Sequence, residues 1–333
     1  MIKEYAIILA LLIVGELVYF RIAKHFNIID KPNARSSHTG VVLRGGGIVF
    51  LLGAWLSSAF FGLQYPWFMA GLTLIATVSF FDDVGTLPDS VRLIFQCLAI
   101  FLMFMQMGVF GRILWPVVLL AWVVGVGIIN AYNFMDGING ITGLYSIAVL
   151  LPLMHMNAGL DQTGFAFISH DLLVAVLLSV LVFCFFNFRK RARCFAGDVG
   201  ATSMAYLLYF AIFLLMIKTG DLTYIMFLAV YGVDTVLTII HRIILHENLG
   251  EAHRKHAYQI MANELKIPHL LVAAFYFVLQ LLISAGLIFL PINHFVYSGI
   301  VLVVLCLSYL IFMKKYYPLH SAYLESLKTN QQL

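Results

Sequence analysis

Eleven apolar runs dominate the chain, near residues 5–24, 45–63, 66–81, 92–109, 113–129, 141–156, 171–188, 201–217, 222–240, 269–290 and 294–313. About 20 apolar residues suffice to cross the hydrocarbon core of a bilayer as a helix. The chain therefore reads as an all-α polytopic membrane protein of about 11 transmembrane helices, a single unit over residues 1–333 with no separate soluble domain. Charge agrees with this: 11% of residues are charged, against roughly 25% in a soluble domain. The opening run "MIKEYAIILALLIVGELVYF" has one Lys before it, an adjacent Glu4 and no small-residue cleavage site, so it reads as a span and not a signal peptide. The second and third runs are short and joined by a tight "GLQYPW" turn.

Charge then orients the spans. Alternation puts the segments near 25–44, 82–91, 130–140, 189–200, 241–268 and 314–333 on one side. Of the 20 Lys and Arg residues, all but Lys3, Arg112 and Lys218 fall in these segments and their flanks. Positive residues accumulate in cytoplasmic loops, so the N-terminus is expected outside and the C-terminus in the cytoplasm. The opposite side offers little chemistry; its longest connection is "NAGLDQTGFAFISH" at 157–170.

Five cytoplasmic segments hold nearly everything polar. They are "DKPNARSSHTGVVLRGGG" (30–47), "FFDDVGTLPDSVRLIFQ" (80–96), "NAYNFMDGING" (130–140), "RKRARCFAGDVGATS" (189–203) and "HRIILHENLGEAHRKHAYQ" (241–259). Arg189–Arg193 is adequately explained as a positive-inside anchor. In "FAGDVG", by contrast, an Asp between two glycines precedes a span. Glycine permits close backbone approach, and a helix N-terminus favours anions.

The adjacent carboxylates Asp82 and Asp83 would raise each other's pKa unless a cation or donor compensates. Mg2+ needs only one or two carboxylates, waters and substrate phosphate oxygens. Asp82, Asp83, Asp136 and Asp198 on one side of the membrane suffice for such a site. Arg35, His38 and Arg44 in the first loop, and His253, Arg254, Lys255 and His256 in the fifth, suit a phosphate partner. If "EAHRKHAYQ" is helical, His253 and His256 share a face. A zinc site is weakly indicated, since no third ligand has a diagnostic spacing. The four cysteines are isolated and suggest neither a disulfide framework nor a zinc ribbon. Two acids lie inside spans. Glu16 has no nameable partner, and Asp234 precedes His241 by two helical turns, which aims it at the cytoplasmic site.

One-sided clusters beyond mostly clean spans favour an enzyme acting on a membrane lipid. A secondary transporter would carry polar groups and broken helices near the midplane, and a lipid-phosphate scramblase would not need the Asp clusters. Phosphoryl transfer between a soluble nucleotide and a membrane lipid accommodates all the segments.

Taken in order, the five segments from about residue 28 to 260 resemble the polyprenyl-phosphate N-acetylhexosamine-1-phosphate transferases, glycosyltransferase family 4. Asp30-Lys31-Pro32-Asn33 with Arg35 and His38 is similar to the family's first loop. Asp82-Asp83 with Leu87, Arg92 and Gln96 is similar to its acidic pair and following helix. "NAYNFMDGINGITG" resembles its Asn-x-x-Asn-x-x-Asp-Gly motif, and "FAGDVG" its Phe-Met-Gly-Asp-x-Gly motif. Asp234-Thr235, Arg242 and the His253–His256 run resemble its last cytoplasmic region. "RSSH", "RGGG" and "AHRKHAYQ" look most like the branch initiating O-antigen and related surface polysaccharides. The chain departs from the pattern at Val41-Val42-Leu43, where relatives commonly carry prolines, and at Ala196 for Met. It departs again at Asn139, where peptidoglycan and enterobacterial-type members carry Asp.

The resemblance implies transfer of a sugar-1-phosphate from a UDP-activated N-acetyl sugar to undecaprenyl phosphate, giving UMP. The donor could be UDP-GlcNAc, UDP-GalNAc or a 6-deoxy sugar. The setting would be a bacterial inner membrane, with the site facing the cytoplasm and no nucleic acid involved. It implies Mg2+, with Mn2+ as the alternative, on Asp198, Asp83 and Asp136, and a homodimer. Catalytic roles would fall to Asp82, Asp83, Asp198, His253 and His256. Substrate contacts would come from Asn130, Asn133, Asp136, Asn139, Phe195, Arg35, His38, Arg44, Asp234, Arg242 and Arg254, with Phe195 stacking on uracil.

Overall fold

The computed structural model of the chain describes residues 1–32, 37, 40–161, 166–250 and 253–331; Arg35 and His38 lie outside the described residues. Each apolar run becomes a helix. The spans are α1 (Ile2–His25), α3 (Pro66–Val84), α4 (Asp89–Met107), α5 (Trp115–Met135), α6 (Ile141–Asp161), α7 (His170–Asn187), α8 (Gly197–Thr219), α9 (Ala229–Ile244), α11 (His269–Phe289) and α12 (His294–Gln331). With the 3-10 segment Leu222–Leu228 joined to α9, ten are long and apolar enough to cross a membrane. The second run forms only the 14-residue helix α2 (Ile48–Phe61). It starts late because Gly45–Gly47 is drawn into a non-helical contact with the fourth cytoplasmic segment. A Cβ on Gly47 would lie 2.2 Å from Cα of Gly200 in α8.

α8 is the hub. It is apolar all round and almost wholly buried, as a central helix of a bundle must be. Three hydroxyls along it tie neighbouring spans. Thr202 donates to Oγ of Ser79 in α3 (2.9 Å), Tyr206 to the Ala99 carbonyl in α4 (2.8 Å), and Tyr209 to the Ala121 carbonyl in α5 (2.6 Å). Phe68 of α3 stacks on Phe210 at 4.0 Å.

The break between the 3-10 segment and α9 exposes main-chain groups that lipid could not satisfy. Gln280 of α11, fully buried, satisfies them. Its Nε2 donates to the Met226 carbonyl (3.0 Å) and its Oε1 accepts from the Val230 amide (3.1 Å). Glu16, also buried, has a partner that sequence spacing could not name, the Cys194 thiol at 3.5 Å.

In the first loop, β1 (Ile29–Asp30) pairs antiparallel with β2 (Val42–Leu43), Asp30 opposite Val42. Leu43 also accepts the Phe195 amide (2.8 Å). Strand pairing needs backbone N–H groups that proline lacks, which gives the valines and leucine here a structural role. In the fifth segment, helix α10 (Ala257–Asn263) begins only at Ala257. The expected helix over 251–259 is not formed through His253, because His256 is consumed as the cap of α10. Its ring accepts from the backbone, and Gln259 reaches back to the His256 amide.

Candidate active site

The pattern at the C-terminal end of α3 begins with Asp83. Its side chain has no solvent exposure. One carboxylate oxygen accepts the Asp198 amide (2.9 Å), and the other accepts the Val199 amide (3.0 Å). Asp83 thus caps the N-terminus of α8 from another helix, satisfying two of its orphan donors. Nε of Arg44 lies 2.6 Å from the same carboxylate. This approach requires glycine at position 197, where φ is +70° and a Cβ would fall 2.6 Å from Asp83 Oδ2 and 2.7 Å from the Gly45 amide nitrogen. Asp82 makes a side-chain hydrogen bond with Asp198. It accepts the Leu87 amide (2.7 Å) and Nη1 of Arg92 (3.0 Å).

Asp198, in the first turn of α8, meets two guanidinium groups, Nη2 of Arg44 at 3.2 Å and Nη1 of Arg92 at 3.7 Å. The Arg44 backbone is fixed by the Tyr19 hydroxyl, which donates to its carbonyl at 2.5 Å. The amides of Gly46 and Gly47 donate to the Phe195 and Ala196 carbonyls (2.9 and 3.0 Å). The first and fourth segments are therefore laced together backbone to backbone.

The "NAYNFMDGING" turn closes the opposite wall. Asp136 accepts from the Thr142 hydroxyl at 2.5 Å. Burial pushes its carboxyl up to about 6, with the Thr142 hydrogen bond pulling down and the Asp83 charge pushing up. Asn139 donates through its side-chain amide to the Arg189 carbonyl (2.8 Å), tying the turn to the basic loop. Asn187, at the end of α7, accepts the Gly140 amide (2.7 Å) and donates to the Cys194 carbonyl (2.8 Å).

These walls enclose a cavity of about 320 Å³ lined by Asp30, Ser37, Arg44, Asn133, Asp136, Gly137, Ile138, Asn139, Phe195, Gly197, Asp198, Gln259 and His269. Six of the residues expected from sequence line it: Arg44, Asn133, Asp136, Asn139, Phe195 and Asp198. Asp82 and Asp83 stand behind Asp198. Asn130 is turned away and exchanges hydrogen bonds with Gln96 of α4, donating at 2.8 Å. Ser37, Gln259 and His269 were not singled out. Gln259 stood in a quoted segment, whereas His269 is a lone histidine after a proline with no motif to mark it.

The fifth segment supports the cavity mainly through its own internal pairing. Arg254 pairs with Glu264 (2.9 Å) and its guanidinium lies over Tyr323. Lys255 and Arg242 both pair with Glu247. Arg242 also donates to the Asn248 and Leu249 carbonyls. On α9 the His241 ring packs on Tyr317, and Asp234 meets the start of α10. It accepts the Ala257 amide (3.0 Å) and the Tyr276 hydroxyl (2.6 Å), and lies 3.3 Å from Nδ1 of His256. His253, 5.1 Å from the His256 ring, is pushed down to about 3 by burial and then by His256, Arg242 and Lys255. It is neutral near pH 7 and available for hydrogen bonding, not as a cation.

Among the described residues, no group of three or more His, Cys, Asp or Glu side chains is arranged to hold a metal ion. The donor set nevertheless suits a hard divalent cation completed by substrate phosphate. Asp198 and Asp136 present carboxylates to one cavity, and guanidinium groups stand where positive charge is required.

The glycosyl transferase family 4 model matches residues 65–218, the stretch that supplies Asp82, Asp83, the Asn133–Asn139 wall and Asp198. The chain is similar to a probable undecaprenyl-phosphate N-acetylglucosaminyl 1-phosphate transferase of Bacillus subtilis, 26% identical over 274 residues, 75% of this chain and 74% of the relative. It is 24% identical over 319 residues to the undecaprenyl-phosphate alpha-N-acetylglucosaminyl 1-phosphate transferase of Escherichia coli O157:H7, covering 88% and 84%. A phospho-N-acetylmuramoyl-pentapeptide-transferase of Thermotoga neapolitana is 28% identical over 197 residues, 57% of this chain and 56% of the relative. With these segments converging on one polar cavity, the chain is an enzyme that resembles glycosyl transferase family 4 and the undecaprenyl-phosphate N-acetylglucosaminyl 1-phosphate transferases.

Proposed function

We propose that the enzyme transfers an N-acetylhexosamine-1-phosphate from a UDP-sugar to undecaprenyl phosphate at the cytoplasmic face of a bacterial inner membrane, and so begins a surface polysaccharide of the O-antigen kind. The observation that carries this reading is the cavity itself. Asp198, Asp136 and Arg44 form a charged end, and Asn133, Asn139 and Phe195 form an amide and aromatic wall.

In the proposed reaction an oxygen of the lipid phosphate attacks the phosphorus next to the sugar. The bond to the bridging oxygen breaks, and that oxygen leaves with UMP. A phosphate monoester has its second pKa near ~6 and is mostly dianionic at neutral pH, so a general base contributes little. The chemistry instead requires alignment and charge neutralisation of two anions. Arg44 and Arg92 supply positive charge, Asp83 holds Asp198 through the α8 amides, and Phe195 offers a face for the uracil ring. Asn133 offers its side-chain amide to the nucleotide, and Asn139 braces the wall from behind through the Arg189 carbonyl. Asp198 and Asp136 would hold Mg2+, with Mn2+ as substitute, and the cation supplies further charge neutralisation at the diphosphate when bound.

The test is incubation of purified protein with Mg2+, undecaprenyl phosphate and a panel of UDP-N-acetyl sugars. UMP release with one donor supports the reading and names the sugar, while no release with any donor overturns it. Asp198→Asn is expected to lose activity by at least about 10²-fold with an unchanged elution profile in detergent.

A further inference from the structure

Arginine approaches both oxygens of Asp198, whose carboxyl also hydrogen-bonds that of Asp82. Arg44 Nη2 approaches Oδ1 at 3.2 Å and Arg92 Nη1 approaches Oδ2 at 3.7 Å. The two arginines differ in how firmly they are held. Arg44 is locked: its Nε lies 2.6 Å from the fully buried carboxylate of Asp83, and its carbonyl is tied to Tyr19. Arg92 is as exposed as Arg44 (34% against 35%) but has no fully buried anchor: its guanidinium is divided among Asp82, Asp198 and Asp89, the last 70% exposed. Exposed ion pairs are weak and easily exchanged, and guanidinium binds phosphate as readily as carboxylate, with matching two-pronged geometry.

We propose that Arg92 is a latch on Asp198: it occupies the carboxylate in the unloaded protein and moves to a phosphate oxygen when the diphosphate enters, making cation and nucleotide binding interdependent. This rests on the reading of the cavity as a UDP-sugar phosphotransferase site. A cation alone must compete with Arg92 for Asp198. A diphosphate removes that competitor while adding its own oxygens. Arg92 is thus a positioning residue whose release opens Asp198, and affinity for the cation should rise when it is removed. A residue that merely helped to build the cation site would show the opposite sign.

The experiment measures Mn2+ binding to purified protein in detergent, by electron paramagnetic resonance, with and without UDP. Arg92→Gln is expected to bind Mn2+ alone about tenfold more tightly than wild type, and the enhancement by UDP should shrink by a similar factor. Arg92→Lys keeps the charge but cannot bridge three carboxylates. A smaller gain there reports the lost bridge and not the lost field, and it provides the test if the glutamine variant does not fold. Mn2+ affinity without UDP that is unchanged or lower in the folded variants overturns the latch. UMP release by the wild type is scored separately. Release without any Mn2+ gain sinks the latch alone, and a Mn2+ gain without release sinks the phosphotransferase reading.

Discussion

Gly197 is the residue on which the site's geometry turns. With φ at +70° and a would-be Cβ inside the Asp83 carboxylate, Gly197→Ala combines an unfavourable backbone conformation with a clash. A destabilisation of roughly 1–3 kcal/mol, read from thermal unfolding in detergent, should accompany loss of turnover. Asp136 gives a pH-dependent prediction. Its carboxyl is pushed up to about 6, so the folded, unloaded protein favours the protonated form. Its contribution to stability is complete below the ordinary carboxylate pKa of about 4 and is lost as pH rises through about 6. Wild type should therefore lose its advantage over Asp136→Asn across that window in unfolding scans without cation. Activity should run the other way, rising through pH 6 as the carboxylate ionises. At this scale the sequence was legible where chemistry was concentrated: Asp198 and the Asn133–Asn139 turn stand out as polar groups between apolar runs. Which of two adjacent acids turns inward was not legible. Asp82 and Asp83 are identical in type, and only the approach of α8 distinguishes them. His269 had no signal because one histidine beside a proline is unremarkable until folding brings it to Asn139.

At the scale of elements, the N-terminus of α8 is built by α3. Substituting Asn for Asp83 removes the charge that faces two helix amides and Arg44. Breaking a buried pair from one side costs about 3–5 kcal/mol. Asp82→Asn, which keeps an acceptor for the Leu87 amide and loses charge only toward a half-exposed arginine, should cost less than Asp83→Asn. Both variants should be poor catalysts, but only Asp83→Asn should unfold at clearly lower temperature. A similar logic governs α10, whose first amides are received by Asp234. The condition under which His253 and His256 would share a helical face is not met, because His256 caps α10 and His253 precedes it in irregular chain. The basic groups of that segment were legible as charges, but their partners were not, since Glu247 and Glu264 lie 5–10 residues away along an irregular path.

For the whole molecule, every apolar run became a helix, because length and hydropathy alone decide what can stay in lipid. Their arrangement around α8 was not legible, since a run apolar on all sides looks the same at the centre of a bundle as at its edge. The lysine and arginine asymmetry still makes a global prediction. A fluorescent reporter fused at the C-terminus should mature in the cytoplasm, and single cysteines placed in the 157–170 connection should react with impermeant reagents applied from outside. Labelling of that connection only after the membrane is opened would reverse the topology.

α2 has only 14 residues, about 21 Å of helix, beside neighbours long enough to span an ordinary hydrocarbon core of roughly 30 Å. Trp55 and Phe60 on it remain exposed, so lipid next to this helix must thin or tilt to meet it. A depression there would lie at the edge formed by α2 and the Gly45–Gly47 segment, next to Arg44, and would lower the headgroup plane toward the reacting phosphates. In vesicles of graded acyl length, turnover at saturating nucleotide sugar should be fastest in thinner membranes and fall as the chains lengthen, and a rate indifferent to thickness would separate the short helix from catalysis.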